Sequence, residues 1–413
     1  MALKVRGHDA HFFGCSRELR KSCNNGNYPD GLSGATCRVC YIYTRRFFSL
    51  SGMGHQWIGD FKSAYDPGKA SLALIDEYRP DVILMLCGLF MPERVMMEIA
   101  RQKGIRIVTY EIAMLAQDAL MMQHDRPIDY DDLENWERYR SQPLNPEEDQ
   151  RLDNYLSERS QGRMSVVNYW PEKEDDERKI REILGIDPNK KTVVLFPNIT
   201  WDSALFEKDI AFKGMFDWLE RTIEYFVGHS EYQLIIRAHP AEVILPGSLR
   251  ESVISYIRDK HLDLPKNIIL VSPESKISSY TLMDISDCGL SYASTTAIEL
   301  GIRGVPVMVA GEVHFRNKGF TIDINDSKTY FNLLDNIMSG NSPISREEII
   351  KMARRYAYFS FFRTSMPFNK IHCGAGDLPV FTYNDISALL PGKDKSLDII
   401  CKGIISGTPF IFE

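Results

Sequence analysis

Four short stretches in the second half of the chain carry residue types able to do chemistry: "NITWDS" (198–203), "RAHPAE" (237–242), "ASTTAIE" (293–299) and "GEVHFRNKGFT" (311–321). They offer Arg237, His239, Glu242, Ser294, Thr295, Thr296, Glu299, His314 and Lys318 as candidate ligand-binding groups. Serine and threonine hydroxyls where a helix opens can donate to phosphate oxygens, beside backbone N–H groups that lack intrahelical partners. The plainer alternative is that Ser294 caps the helix and Thr296 sits in its first turn. A cationic and imidazole lining opposite the triplet, from Arg237, His239 and Lys318, would suit a diphosphate or a nucleoside monophosphate.

His239 precedes Pro240, which favours an extended backbone at the histidine and so an aimed ring. Its roles would be donation to a phosphoryl oxygen or stabilisation of a leaving group; a structural hydrogen bond to a neighbouring loop is the alternative. Asp202 and Glu111 are the carboxylates considered for a general base. Trp201, beside Asp202, is a flat aromatic of the kind that stacks on sugars. For either acid the bland alternative is a solvated loop carboxylate.

Such groups need elements to position them. Short apolar runs precede each motif: "KTVVLFPN" (191–198), "YQLIIRAHP" (232–240), "NIILVSP" (267–273), "DCGLSYA" (287–293) and "VPVMVAG" (305–311). Helical stretches are expected between them at 213–226, 248–260 and 295–301. Strands alternating with helices imply a parallel, Rossmann-like sheet, and ligands of such sheets bind beyond the carboxyl ends of the strands. In the first half, "PDVILMLCGLF" (80–90) and "IRIVTYE" (105–111) read as strands around a helix that Gly104 would close.

The opening "ALKVRGHDAHFFGC" reads as a helix end, a turn at Gly7 and a strand over 9–15, with no strand ahead of that helix. Either the start lies inside the natural gene or the first strand is dispensable. Residues 125–190 are acidic, polar and aromatic-studded, and are expected to form a helical connecting region rather than a core. Residues 346–362 read as a helix whose aromatics pack in a core. The expected domains are therefore 1–124 (Rossmann-like), 125–190 (connection), 191–345 (Rossmann-like) and 346–413 (helix and tail).

Bulk properties narrow the class. A chain of 413 residues, 44% hydrophobic and 25% charged, is long enough for two cores. A net charge of −7 argues against a broad nucleic-acid footprint. No apolar stretch is long enough to span a bilayer and no signal peptide is evident, so a cytoplasmic place is expected, compatible with peripheral association at the inner face of the membrane. Of eight cysteines, Cys15, Cys23, Cys37 and Cys40 lie in the first forty residues, the last two as C-R-V-C. The alternatives are a four-thiolate zinc or iron–sulfur site and reduced, unliganded thiols.

"RAHPAE", "SYASTTAIELGIRGVPVMVAGE" and "HFRNKGFT" together resemble the C-terminal half of capsule-polysaccharide-biosynthesis proteins of the GT-B glycosyltransferase type, with a likeness to bacterial Kdo transferases and sialyltransferases. The resemblance covers roughly residues 190–325. It implies two Rossmann-like domains facing across a cleft, 1–124 on the acceptor side and 191–345 on the nucleotide-sugar side, with the helix and tail of 346–413 crossing back to the first domain, and donor contacts from the HP motif (His239-Pro240) and the Ser/Thr motif (Ser294-Thr295-Thr296). It also implies a nucleotide-sugar substrate, a glycan or glycolipid acceptor and no required metal. The acidic D/E-D/E-G motif of the sialyltransferase families has no clear copy in the first domain. Alternatives are a polyol-phosphate transferase of the teichoic-acid type, a nucleotide-sugar epimerase, and a GT-B scaffold that binds nucleotide without turnover.

Overall fold

The apolar runs at 193–196 and 234–236 form strands that are buried on both faces, as parallel sheets require. A computed structural model describes residues 2–5, 8–11, 58–113, 119–162, 172–200, 205, 208–244, 252–368, 371–372, 380–383 and 385–413. Contacts divide the chain into two compact units. One comprises Met1–Ile128 with Thr364–Glu413, and the other Asp129–Arg363.

The first unit opens with β1 (Ala2–Val5) paired antiparallel to β2 (His8–His11). Residues 2–5 are thus a strand and not the helix end expected; only two residues separate the segments, a length that suits antiparallel pairing. Helix α1 (Ile58–Tyr78) leads to β3 (Val82–Leu86), α2 (Met91–Gln102) and β4 (Arg106–Ile112), with β3 and β4 parallel. β5 (Ala119–His124) then pairs antiparallel with β4. This sheet is therefore mixed, where the alternation in the sequence implied a parallel one. The chain passes from β4 to β5 over too few residues for a crossover helix, so the strand can only return antiparallel.

The second unit begins with α3 (Leu133–Tyr139), α4 (Pro146–Ser160) and α5 (Glu177–Leu184). Asn145 and Glu148 close a capping box at the start of α4. The stretch expected to be a mere connection contributes to a core: Trp136, Leu152, Tyr155 and Ile180 are buried. Trp136 stacks edge-on against Tyr356, a contact 220 residues away in sequence that local polarity conceals.

The sheet of this unit follows from β6 (Lys191–Phe196), α6 (Met215–Gly228), β7 (Tyr232–Arg237), α7 (Ala241–Ile244), α8 (Val253–Lys260), β8 (Ile268–Val271), α9 (Ser279–Asp284), β9 (Cys288–Ser291), α10 (Thr296–Ile302), β10 (Val307–Val309) and β11 (Ile322–Asp323). All six strands are parallel, in the order β11-β10-β9-β6-β7-β8. The α/β class with parallel sheets is as expected from the sequence. Strand β6 is first in sequence and central in space. The chain builds outward from it to β8, then returns to the other side of β6 and builds outward again. The reversal makes the β6–β9 boundary a topological switch point, where ligands of open α/β sheets bind.

Helices α11 (Ser327–Met338) and α12 (Arg346–Tyr358) follow, and a π-helical turn at Phe359–Arg363 ends the unit. Tyr356, Phe359, Phe361 and Phe362 are buried, the core packing expected for these aromatics, and 356–362 belong to this unit. The remaining chain counts with the first unit. There β12 (Met366–Pro367) joins β5 and α13 (Lys395–Ser406) supplies Ile400 to a core with Val108 and Met122. The units divide at 128/129 and 363/364, where the sequence reading drew boundaries at 124/125 and 345/346. Among the described residues, no helix is long and apolar enough to cross a membrane.

Candidate functional site

The carboxyl ends of β9, β6 and β7 deliver three short segments side by side to one edge of the sheet of the second unit. Neighbouring strands lie about 4.8 Å apart, so the turns after β9 and β7 start roughly 10 Å apart with the end of β6 between them. The turn after β9 carries Ser294-Thr295-Thr296, the one after β7 carries His239, and Asn198 follows β6.

The hydroxyl triplet is locally organised. Ser291 Oγ accepts from the Ser294 N–H at 3.1 Å and donates to the Ser294 carbonyl at 3.2 Å. Thr296 donates to Ser294 Oγ twice, from its N–H at 3.4 Å and from Oγ1 at 3.0 Å. Ser294 thus caps the turn, the plainer of the two expected roles, and its own hydroxyl hydrogen remains to be given away. Thr295 makes no capping bond. Helix α10 has only seven residues, so the donors here are side chains and not an extended helix dipole.

Asn198 ties two of the turns together. Its Oδ1 accepts from the Ala293 N–H at 3.0 Å, and its side chain is buried. In the sequence Asn198 is only the first residue of the NITWDS stretch. Its pairing with a residue on β9's loop depends on the strand order, which no local pattern carries.

His239 is half-buried, and its Nδ1 accepts from the Ala241 N–H at 3.0 Å. That bond puts the proton of the neutral ring on Nε2. Burial, and next the Arg237 guanidinium, push the imidazole down to about 4, so it is neutral at physiological pH. His239 can donate one hydrogen bond to a ligand oxygen but carries no charge for it.

The expected cations have other partners. Arg237 is buried and donates to the carbonyls of Ala238, Ser272 and Ser275 at 3.1, 2.6 and 3.1 Å, which ties β7's end to the loop after β8. Its Nε and the Glu242 Oε2 are both buried without a hydrogen-bond partner. Glu242 receives only a long bond, 3.4 Å, from the Val253 N–H. Burial raises its carboxyl to about 7, with Glu274 adding to the rise and Arg237 opposing it. Lys318 is buried against Asp131 at 2.9 Å. Arg316 donates to the carbonyls of Val309, Gly311 and Ile324.

Glu299 and His314 are likewise internal. Glu299 meets Arg159 Nε at 2.6 Å and the Tyr280 hydroxyl at 3.2 Å. His314 pairs through Nδ1 with the Tyr356 hydroxyl at 2.6 Å, and burial, with Lys318 and Lys208, pushes it down to about 3. The structure thus gathers Ser294, Thr295, Thr296, His239 and Asn198 at one sheet edge, and gives Arg237, Glu299, His314 and Lys318 partners inside the unit. Glu111 lies in the first unit at the end of β4, where its Oε1 accepts from the Ile112 N–H at 2.9 Å. Asp202, Trp201 and the cysteines Cys15, Cys23, Cys37 and Cys40 lie outside the described residues.

A strap crosses the far side of the edge. Gly311 donates to the Tyr292 carbonyl at 2.8 Å, Glu312 N–H donates to the Lys208 carbonyl at 2.8 Å, and the Tyr292 hydroxyl donates to Asp209 at 2.7 Å. A Cβ on Gly311 would stand 2.8 Å from the Tyr292 oxygen and 3.1 Å from the Lys208 oxygen, so only glycine permits this approach.

No protein-family model matches the chain, and no curated protein matches it. Among solved structures it is similar to the beta Kdo 2,4 transferase KpsC of Thermosulfurimonas dismutans, at 14% identity and a TM-score of 0.43, covering 66% of this chain and 78% of that one. It is also similar to the UDP-GlcNAc 2-epimerase of Neisseria meningitidis, at 14% identity and a TM-score of 0.32, covering 71% and 79%. The wall teichoic acid polymerase TagF is similar at 14% identity and a TM-score of 0.27, over 44% of this chain and 42% of that one.

Proposed function

We propose that the chain is a GT-B glycosyltransferase that moves a sugar from a nucleotide-activated donor, CMP-Kdo-like or a UDP-sugar, to a polysaccharide or glycoconjugate acceptor in bacterial surface glycan synthesis. The observation that supports this best is the clustering of the HP and Ser/Thr motifs at the carboxyl edge of one parallel sheet, on either side of β6. Hydroxyls and a neutral imidazole at a switch point are donors suited to phosphoryl oxygens.

In this reading the Ser294 and Thr295 hydroxyls and His239 hold the donor's phosphate, with Thr296 steadying Ser294 Oγ, and meet the charge that develops on that phosphate as the glycosidic C–O bond breaks. For an inverting transfer, a carboxylate takes the acceptor hydroxyl's proton while that oxygen attacks the anomeric carbon and the nucleotide departs. Asp202 and Glu111 are the carboxylates proposed. No metal or other cofactor is needed for these steps.

The test is a thermal-shift screen of the purified chain against CMP, CDP, UDP and GDP and their sugars, followed by product analysis with the donor that binds. Selective stabilisation by one nucleotide is expected, because a ligand of the native state raises its apparent stability. Glycosyl transfer to an acceptor would support the reading. Transfer of a polyol phosphate, release of an epimerised sugar, or binding without product would each replace it.

A further inference from the structure

Asn198 is 6% exposed and follows β6, the strand between those that lead to the two motif-bearing turns. A carboxamide offers an acceptor at one end and two N–H donors at the other. The Ala293 N–H, at 3.0 Å, fixes the oxygen end toward β9's loop, so Nδ2 faces the other way. Among the described residues nothing accepts a hydrogen bond from Nδ2. A ligand oxygen can take these donors.

The neighbours of this amide are also donors. Ser294 Oγ already accepts twice from Thr296 and keeps its own hydrogen to give. His239, on the turn after β7, accepts from the Ala241 N–H through Nδ1. The two cations expected beside the motifs are engaged elsewhere, Arg237 by three carbonyls and Lys318 by Asp131. Asn198 Nδ2 and the Ser294 hydroxyl are neutral donors on segments that follow the adjacent strands β6 and β9, which matches a group made of acceptor oxygens.

We propose that Asn198 is a ligand-binding residue of this edge: Nδ2 donates to a phosphoryl oxygen seated over the β6–β9 boundary, while Oδ1 holds the turn that carries Ser294. The proposal rests on the reading of this edge as a phosphate site and extends it to a residue outside both motifs. It commits to a donor that works without charge, so recognition depends on the number of oxygens the ligand presents more than on its net charge.

The experiment uses two variants of the full chain. Asn198→Asp keeps an acceptor for the Ala293 N–H and removes the donors; Asn198→Ala removes both. Affinities for inorganic pyrophosphate, CMP and UDP are measured by calorimetry and melting temperatures by a thermal scan. Asn198→Asp is expected to melt like the wild type and to bind about tenfold or more weakly, about 1.4 kcal/mol. Asn198→Ala is expected to lose melting temperature as well. Because a new carboxylate also repels anions, the wild-type side-chain amide resonances of residue 198, identified by their loss in Asn198→Asp, are followed by NMR and are expected to shift on adding pyrophosphate.

An unmoved amide resonance in the presence of bound ligand, or wild-type affinity in Asn198→Asp, overturns the proposal and leaves the nucleotide reading intact. Binding of pyrophosphate but of no nucleotide, weakened in Asn198→Asp, keeps the donor set and removes the nucleotide reading. Failure of all three probes to bind the wild type removes both.

Discussion

Arg159 and Glu299 form a 2.6 Å ion pair that joins α4 to α10, the short helix directly behind the hydroxyl triplet. Glu299 is nearly enclosed, and the Tyr280 hydroxyl also donates to it. Breaking one side of such a pair strands the other charge, at a cost of about 3–5 kcal/mol when it is fully buried. Because Arg159 is partly exposed, Glu299→Ala is expected to lower stability by about 2–3 kcal/mol in a denaturant titration. Its affinity for whichever nucleotide binds should stay within about twofold of wild type, since the carboxylate faces α4; a large loss of affinity with intact folding would return Glu299 to the ligand site.

His239→Ala tests the imidazole directly. Removing the Nε2–H donor should weaken nucleotide binding by about tenfold or more, which is about 1.4 kcal/mol. Because the ring is already neutral, held near 4, the wild-type contribution should be constant from about pH 6 to about pH 8 and decline only in acid. Unchanged affinity in a folded variant removes the histidine from the site.

Glu242 gives a pH signature of stability. Its folded carboxyl titrates near 7 because of burial, against 4.5 for the unfolded chain. As pH rises between those values the unfolded state loses its proton first, so unfolding is favoured and stability falls. The full effect of this group above about pH 7 is on the order of 3 kcal/mol. Glu242→Gln, which cannot ionise, should therefore gain in melting temperature relative to wild type as pH is raised from about 5 to about 8. Parallel curves for the two proteins would show that the carboxyl is not held neutral.

Much of the second unit was legible in its residues, and the reason is physical. Runs such as Val193–Val194–Leu195 and Leu234–Ile235–Ile236 have no polar position to alternate with, which only a strand buried on both faces tolerates. The placement of His239 and Ser294 at the same edge followed from those strands alone. What failed to show were relationships set by distant partners. Arg237 reads as a free cation at a strand end, yet its acceptors are Ser272 and Ser275, carbonyls that any residue type would supply. Lys318 finds Asp131 across 187 residues, and only the fold announces it. The acidic stretch around Trp136 looked solvated because its few apolar residues are spaced to fill one face of each helix. Their burial depends on Tyr356 and Phe359 arriving much later in the chain.

Gly311→Ala should disturb the strap without touching any donor. The added methyl group would press on two carbonyl oxygens that hold Lys208 and Tyr292 in place, and small-to-large changes in close contacts typically cost about 1–3 kcal/mol. A thermal scan should show that loss. Hydrogen exchange of the Glu312 amide, which donates to Lys208, should quicken more than that of strand β7. Uniform quickening would mean that the strap is not a separately yielding element.

The central place of β6 bears on how the chain is made. During translation the first strand of this sheet emerges with one flank awaiting a partner that lies 95 residues downstream, the separation between Asn198 and Ala293. At about 5–20 residues per second that flank stays uncovered for on the order of ten seconds. Until the ribosome delivers β9, an apolar ribbon edge is open to wrong neighbours, and slower codons after β7 would lengthen the exposure.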